Sequence, residues 1–117
     1  HSAMLVNETL PEFLISDLKK THVLQNKNVG ILGMTFKPNN DDIRDSLAFR
    51  LKKKLEYEGC RVFCSDQYLK DKYLVSINKI IKNCKIIFIG CPHDIYNKIK
   101  FPKNIKVVDC WGFIQNK

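Results

Sequence analysis

The sequence predicts an α/β fold, a Rossmann-like three-layer α/β/α domain built on a parallel sheet. Short apolar runs typical of buried strands alternate with segments of helical periodicity, in the order β-α-β-α-β-α-β. The connections are short, and 117 residues suit one domain. Right-handed crossovers between such strands place helices on both faces of the sheet. We expect the strands in the order second, first, third, fourth.

A leading helix and a buried strand open the chain. Thr9 and Glu12 have the spacing of a capping box, and Pro11 falls in the first turn, where proline is tolerated. These residues predict a helix over 10–21. The run NVGILGMTF is short, apolar and bracketed by polar residues, which predicts a strand at 28–34.

The rest of the chain continues the alternation. Leu47, Leu51 and Leu55 lie on one stripe of DSLAFRLKKKLEYEG, which predicts a helix ending before Gly59. The remaining predicted elements are strands at 60–65, 85–90 and 105–109, a helix over YLVSINKIIKN with Leu74, Ile77 and Ile81 aligned, and a helical turn or two in DIYNKI.

Composition narrows the classes of function. The net charge of +8 comes almost entirely from 17 lysines, which are dispersed along the chain rather than clustered with arginine and aromatic residues. This pattern predicts a solvated surface with a general attraction for anions, and no nucleic-acid partner. An uninterrupted apolar stretch of about 18 residues does not occur, so we expect no membrane span.

The cysteines indicate a reducing compartment. They are odd in number, lie in or beside apolar runs, and include no C-x-x-C pair. We therefore expect free thiols, no metal site and a cytoplasmic location. The five residues are Cys60, Cys64, Cys84, Cys91 and Cys110.

Polar side chains follow each predicted strand. The stretch TFKPNNDDIRDS, residues 35–46, comes after the first strand, and Asp66, His93 and Asp109 follow the other three. Ligands of open parallel sheets bind at the carboxyl ends of the strands. This edge is therefore the candidate site.

The stretch at 35–46 admits two interpretations. It lacks the G-x-G-x-x-G fingerprint and the Walker phosphate loop, but Lys37 supplies a point charge and Arg44 a fork for phosphate or carboxylate, beside a helix N-terminus. A phosphate-bearing ligand is one interpretation. The other is a structural loop in which Asp42 or Asp45 caps the helix and Arg44 pairs internally.

The other candidates also have structural alternatives. His93 could touch a ligand or belong to a helix-capping loop. Asp66 and Asp109 could meet a ribose or base, or cap a turn. Trp111 could pack, anchor an interface or stack on a base.

The segment VGILGMTFKPNNDDIRDSLAFRLKKKLEYEGCRVFCSDQY resembles the start of the C-terminal domain of the UDP-glucose/GDP-mannose dehydrogenase family. That family carries G-x-x-F-K-x-x-x-D-D-x-R-x-S after a strand. The resemblance continues through KIIFIGC to VVDCWG and covers about residues 25–114. It implies the end of a helix from a central domain at 5–24 and a UDP-sugar-binding C-terminal domain at 25–117. Residues 1–4, His-Ser-Ala-Met, are typical by themselves of an expression-vector remnant.

The resemblance also implies roles for individual residues. Arg44 would lie on the NAD side of a domain cleft, and most of the NAD site, the catalytic cysteine and its partners would belong to N-terminal and central domains. This chain would then carry no catalytic residue and no metal ligand, and would be inactive alone. The implied substrate-binding residues are Phe36, Lys37, Pro38, Asn39, Asn40, Asp41, Asp42 and Ile43.

The full enzymes of this family oxidise a sugar's primary alcohol to a carboxylate in two NAD-dependent steps, and they are homodimers or larger. Two positions depart from the family pattern. Gln67 replaces the proline of an Asp-Pro-Tyr turn, and Cys110-Trp111-Gly112 has no arginine after the last strand. The second departure favours UDP-N-acetylmannosamine or a related UDP-HexNAc. The alternatives are a UDP-glucose 6-dehydrogenase domain, or a non-enzymatic Rossmann-like nucleotide-binding or assembly module.

Overall fold

A four-stranded parallel sheet forms the centre of the protein. The computed structural model describes residues 3–35, 39, 46–109 and 111, with side chains from residue 10 onward. The elements are helix α1 (Ala3–Lys19), strand β1 (Asn28–Leu32), helix α2 (Leu47–Tyr57), strand β2 (Arg61–Ser65), helix α3 (Ile77–Asn83), strand β3 (Ile86–Ile89), a 3-10 helix (Asp94–Lys98) and strand β4 (Lys106–Asp109).

The predicted sheet is confirmed. Its strand order is β2-β1-β3-β4, and all three pairs are parallel. In the central strand Val29 is opposite Val62 of β2 and Ile86 of β3. Because β1 lies between β2 and β3, the chain reverses its direction of winding there. The edge where β1 and β3 end is the usual place for a ligand in such a sheet.

Alternate side chains of each strand enter two separate cores, so the fold has three layers. Val29 and Ile31 pack under α1 and α2, whereas Leu32 packs on the opposite face with α3. In β3, Phe88 belongs to the first core and Ile87 to the second. A strand buried on both faces requires the continuous apolar character seen in the sequence.

Helix α2 begins at Ser46. The Ser46 hydroxyl oxygen accepts the N–H of Ala48 at 3.1 Å, and the hydroxyl donates to the carbonyl of Met34 at 2.8 Å. The N-cap is therefore Ser46, and Asp42 and Asp45, which the alternative interpretation named as caps, lie outside the described residues. Serine suits the position because one short hydroxyl can satisfy a helix N–H while also reaching the end of β1.

The capping box predicted at Thr9 is wrong. Helix α1 begins at Ala3 and continues to Lys19, which places Thr9 and Pro11 inside it. The residues from Ala3 to Glu8 include good helix formers and no glycine, so a helix that has nucleated extends through them at little cost. Thr9 is therefore not at a terminus where its hydroxyl could cap.

Helix α3 is shorter than predicted. The segment before α3 is extended: Leu74 forms a parallel bridge with Cys64, and Val75 N–H donates to the carbonyl of Cys64 at 2.8 Å. Helix α3 then starts after Ser76, whose hydroxyl oxygen accepts the N–H of Lys79 at 3.1 Å. Leu74 thus shields the edge of β2 instead of lying on a helical stripe.

Strand β1 ends two residues early because Gly33 leaves the extended region. Its φ is +91°, and an added Cβ would lie 2.5 Å from the carbonyl oxygen and 2.8 Å from the nitrogen of Cys91. Only glycine allows the ends of β1 and β3 to approach this closely.

The cysteines in the described residues are buried free thiols: Cys60, Cys64, Cys84 and Cys91. Burial raises the pKa of all four thiols, that of Cys64 to about 12. At neutral pH they are protonated and behave as small apolar side chains. Cys110 lies outside the described residues. Helices of sufficient length and apolarity to cross a bilayer do not occur in the described part of the chain.

Gly33→Ala tests the close approach of β1 and β3, and Gly59→Ala is its matched control. Both glycines have a positive φ, but alanine at Gly59 would meet the flexible side chain of Gln25 at 3.1 Å rather than backbone. Gly59→Ala should cost about 1–2 kcal/mol of unfolding free energy from backbone strain. Gly33→Ala should cost about 1–3 kcal/mol more from overpacking. Urea denaturation measures both, and equal losses would contradict the packing argument.

Candidate functional site

Three buried polar residues meet where β1, β2 and β3 end. Thr35 follows β1, Asp66 follows β2 and His93 follows β3, and their exposed fractions are 1%, 6% and 0%. Parallel strands bring their carboxyl ends to the same edge, so residues distant in sequence meet there. The sequence placed Asp66 and His93 at this edge, and the structure shows that they contact each other.

Asp66 holds a buried carboxylate with three hydrogen-bond donors. Its Oδ2 accepts the N–H of Met34 at 2.7 Å and lies 2.9 Å from Nε2 of His93, and its Oδ1 accepts the N–H of Tyr68 at 2.8 Å. Burial alone would raise the pKa of Asp66. The hydrogen bonds from His93, Met34 and Tyr68 outweigh burial, so the pKa lies below its ordinary value. The side chain is therefore ionised at neutral pH.

The contacts of His93 define its tautomer. Its Nδ1 lies 2.7 Å from the backbone nitrogen of Asn39, which can only donate, so Nδ1 carries no proton. The ring proton is then on Nε2, which donates to Asp66 and lies 3.1 Å from the hydroxyl oxygen of Thr35. His93 is thus a neutral ring that joins a carboxylate to a loop backbone.

Asn39 is held a second time through its side chain. Its Oδ1 accepts the N–H of Asp94 at 3.0 Å and the hydroxyl of Tyr68 at 3.4 Å. Its φ is +57°, a left-handed conformation that asparagine tolerates better than most residues. Asn39 is therefore bound both to the loop after β2 and to the start of the 3-10 helix after β3.

Aromatic rings enclose the histidine. The ring centroid of Tyr68 lies 4.7 Å from that of His93, and the centroid of Tyr96 lies 5.5 Å from it. Tyr96 is fully buried and donates to the carbonyl of Ser65 at 3.4 Å, and its burial raises its pKa. Since the side chains of His93 and Asp66 have no exposed surface, this pair is arranged to hold structure rather than to exchange protons with a substrate.

We name the five residues that share these bonds the carboxyl-edge cluster. They belong to the three segments that follow β1, β2 and β3. Its members are Thr35, Asn39, Asp66, Tyr68 and His93.

Asn39 is the one predicted substrate residue within the described part of the chain, and it is a member of the carboxyl-edge cluster. The two flanks of the stretch are also described: Thr35 and Ser46 are buried, and the Ser46 hydroxyl bonds to Met34. The stretch therefore leaves and re-enters the fold at the carboxyl edge. The predicted residues outside the described part are Phe36, Lys37, Pro38, Asn40, Asp41, Asp42, Ile43 and Arg44.

His93, Asp109 and Trp111 are the other candidates for which the sequence offered a structural interpretation. His93 occupies the N-cap position of the 3-10 helix, as the interpretation of a helix-capping loop residue expects, but its side chain makes no capping bond. Its ring turns inward because Asp66 and Asn39 satisfy both nitrogens. Asp109 Oδ1 accepts the N–H of Trp111 at 3.1 Å, a turn-capping bond, and the Trp111 side chain is 40% exposed.

Sequence reasoning did not single out Thr35 or Tyr68. Thr35 reads only as the first residue of the stretch at 35–46, and Tyr68 as one of several turn residues. A signal for Tyr68 was available, because it holds the tyrosine position of the Asp-Pro-Tyr turn in the family that the sequence resembles. The pairing of His93 with Asp66 had no signal beyond their common edge.

The two described glycines in and just after β1 do not form a dinucleotide-binding turn. The Cβ position of Gly30 is occupied by Ile80 of α3, and that of Gly33 by the backbone at Cys91. Both glycines thus serve packing and not the approach of a pyrophosphate. Within the described ranges, no group of three His, Cys, Asp or Glu side chains could hold a metal ion.

Comparison with known proteins identifies the family. The model of the UDP-glucose/GDP-mannose dehydrogenase family UDP-binding domain matches residues 30–116. The chain belongs to this family. The match covers the end of β1, the other three strands and the stretch at 35–46, so the carboxyl-edge cluster lies in a UDP-glucose/GDP-mannose dehydrogenase domain.

The chain is similar to several dehydrogenases of this family. It is 35% identical over 97 residues to UDP-N-acetyl-D-mannosamine dehydrogenase of Methanocaldococcus jannaschii, covering 81% of this chain and 23% of that protein. Two solved structures each give a TM-score of 0.80: UDP-D-ManNAc dehydrogenase of Pyrococcus horikoshii and a UDP-glucose dehydrogenase of Pyrobaculum islandicum. The first is 21% identical, and the match covers 96% of this chain and 29% of that one. The second is 23% identical, and the match covers 97% of this chain and 28% of that one. The chain thus spans under a third of these proteins.

Asp66→Asn tests the negative charge of the buried carboxylate at the carboxyl edge of the sheet. An amide offers one acceptor oxygen to three donors, so its NH₂ group would face a donor. The substitution should cost about 1–3 kcal/mol of unfolding free energy at neutral pH. Because the folded pKa is lowered, the carboxylate stabilises the fold above its unfolded pKa of about 3.9, and that contribution disappears as pH falls through the lower folded value.

Urea denaturation of both proteins between pH 7 and pH 2 measures this difference. The gap in unfolding free energy should narrow as the pH falls below about 4, since the wild-type carboxyl then becomes protonated. A gap that stays constant across this range would contradict the assignment of an ionised Asp66.

Proposed function

We propose that this chain is the nucleotide-sugar-binding domain of an NAD-dependent nucleotide-sugar 6-dehydrogenase, which oxidises a UDP-sugar to its uronic acid. The observation that carries the proposal is the UDP-binding-domain match over residues 30–116, which includes the carboxyl-edge cluster. A loop anchored at this edge lies where open parallel sheets bind ligands. The domain contributes binding, and the catalytic residues lie outside this chain.

In this proposal the stretch at 36–43 forms the substrate side of the site. Lys37 precedes the anchored Asn39 by two residues and supplies a positive charge to the nucleotide-sugar. Pro38 restricts the lysine before it to extended conformations, which limits the positions its charge can take. The asparagines and aspartates at 39–42 shape the loop through turn and capping bonds.

Arg44 and NAD belong to the other side of the proposed cleft. The packing of both β1 glycines supports the view that this domain does not itself wrap the dinucleotide. NAD would be held mainly by an N-terminal domain, with Arg44 facing it. The arginine fork would then bind phosphate or carboxylate at the junction of the two domains.

Helix α1 supports an assembly with a central domain. It is joined to α2 by ion pairs of Glu12 with Lys54 and of Lys19 with Glu58, each 2.9 Å long. Phe13 points outward from the same helix and is 66% exposed, which suits a contact with another domain or subunit. We propose that the full enzyme is a cytoplasmic homodimer or larger, without a nucleic-acid or membrane partner.

For the sugar we propose N-acetylmannosamine or a related N-acetylhexosamine. The sequence Cys110-Trp111-Gly112 lacks the arginine that a glucose-specific site is expected to carry, and one relative is named for UDP-N-acetyl-D-mannosamine. UDP-glucose is the second candidate, since a UDP-glucose dehydrogenase has an equal TM-score. Activity of the full-length enzyme across a panel of UDP-sugars decides between them.

Titration of this chain with UDP, followed by amide NMR, tests the binding site. We expect shifts for Thr35 and Asn39 at the carboxyl edge, and none for Asn28 at the opposite edge of the sheet. Adenosine diphosphate controls for a general attraction of phosphate to a basic protein. Equal shifts with both nucleotides, or shifts spread over the lysines, would favour a non-enzymatic anion-binding module.

Lys37→Ala and Arg44→Ala separate the substrate side from the cofactor side. In the full-length enzyme Lys37→Ala should raise the KM for the UDP-sugar roughly ten- to a hundredfold, since one charge-assisted contact contributes about 1.5–3 kcal/mol. Arg44→Ala should instead weaken the use of NAD. Lys82→Ala, at an exposed lysine in the last turn of α3, is the matched control.

Thermal denaturation of the same variants tests the alternative, in which the stretch at 36–44 is a structural loop. If the stretch at 36–44 were a structural loop, both substitutions would lower the melting temperature and leave the kinetics intact. That pattern would overturn the assignment of Lys37 and Arg44 to the site.

A further inference from the structure

We propose that His93 is a positioning residue of the nucleotide-sugar site, acting through the backbone of Asn39. It rests on the proposed function, and it adds a residue that lies about 50 positions away in sequence from the ligand loop. In this role the ring does not touch the ligand. It holds the backbone of Asn39 in place for the ligand.

The two ring nitrogens have separate tasks. Nε2–H donates to the Asp66 carboxylate at 2.9 Å, and Nδ1 accepts from Asn39 N–H at 2.7 Å. The first bond fixes the tautomer, and the tautomer makes the second bond possible, because only an unprotonated Nδ1 can accept. Asp66 therefore acts on the loop through His93.

Stability alone does not explain this arrangement. A buried ion or polar network is often replaceable by apolar residues of similar volume without loss of stability. The rings of Tyr68 and Tyr96 lie beside His93, so apolar replacements of both His93 and Asp66 would have apolar neighbours. What an apolar side chain could not supply is a directional acceptor for the Asn39 N–H.

Asn39 suits a positioning contact because both its backbone and its side chain are hydrogen-bonded. Its backbone N–H bonds to His93 and its side-chain Oδ1 accepts from Asp94 N–H at 3.0 Å, so both its position and its rotation are defined. Lys37 lies two residues away, with a proline between them that limits backbone freedom. Asn39 is therefore the residue of the predicted substrate stretch on which His93 acts.

Two amide substitutions separate the tasks of the ring. In His93→Asn the short side chain places its Oδ1 near the position of Nδ1, where it can accept from Asn39. In His93→Gln the longer side chain reaches the position of Nε2 and can donate to Asp66, but it leaves the Asn39 N–H without that acceptor. The affinity of this chain for UDP should fall roughly three- to tenfold in His93→Gln, and stay within about twofold of wild type in His93→Asn.

Thermal stability and a second histidine provide the controls. Both His93 variants remove a buried ring, so their melting temperatures should fall together, while their UDP affinities diverge. His22→Gln removes a half-buried ring that lies 2.8 Å from Thr21 beyond the end of α1, and it should leave UDP affinity unchanged. Equal affinities for the two His93 variants, or weaker binding in His93→Asn than in His93→Gln, would overturn the positioning role.

The wild-type chain gives an independent readout if a variant does not fold. Nitrogen-15 NMR of the His93 ring should show a protonated Nε2, an unprotonated Nδ1 and a hydrogen-bond coupling from the Asn39 amide. A proton on Nδ1 would overturn the inference directly.

The outcomes also distinguish this inference from the proposed function. If the wild-type chain does not bind UDP, the proposed function fails and the positioning role fails with it. If UDP binds and Lys37→Ala weakens it, but His93→Gln does not, then the positioning role alone is wrong.

Discussion

The buried carboxylate of Asp66 is the interaction on which the carboxyl edge depends. A charge placed out of water is tolerated only when donors surround it, and here the donors come from three separate loops. Met34 N–H follows β1, Tyr68 N–H belongs to the loop after β2, and His93 follows β3. Loss of any of these bonds would leave a buried charge partly unsatisfied, so the three strand ends are held in one arrangement.

The backbone makes that arrangement possible. Gly33 lets the end of β1 pass within contact distance of Cys91, and the following residues Met34 and Thr35 then reach Asp66 and His93. Gly30 lets α3 lie directly on β1 through Ile80. These glycines resemble part of a dinucleotide fingerprint in composition, but they are used for close packing between protein elements.

The sheet could be predicted from the sequence because its signal is local and repeated. Each strand is an apolar run, each crossover is short, and parallel pairing follows from the alternation with helices. The errors fall where tertiary contacts override a local pattern. Leu74 fits a helical stripe, but an exposed edge of β2 offered backbone bonds to its segment. Thr9 fits a capping box, but the helix extends through it.

The candidate site could be located from the sequence but its internal contacts could not. The rule that strand ends converge placed Asp66 and His93 at one edge. It does not specify which side chains turn inward, and that choice depends on donor and acceptor matching in three dimensions. The Asn39 N–H needs an acceptor, Asp66 needs donors, and a neutral histidine satisfies both. Asp66 and His93 are more than 25 positions apart, and no spacing in the sequence indicates that their side chains form a hydrogen bond.

This matching bears on how a domain without a glycine-rich phosphate loop can bind a nucleotide. Side chains such as lysine lose conformational freedom when they bind, and that loss reduces the affinity that each contact can contribute. A loop that is already anchored loses less. Asn39 is held from its backbone and from its side chain before any ligand arrives, and the flanks of its loop are closed by the bond between Ser46 and Met34. The carboxyl-edge cluster thus orders Asn39 when the chain folds. The free energy of burying Asp66 and His93 is offset once, at that step, and the ordering of Asn39 is not repeated in each binding event.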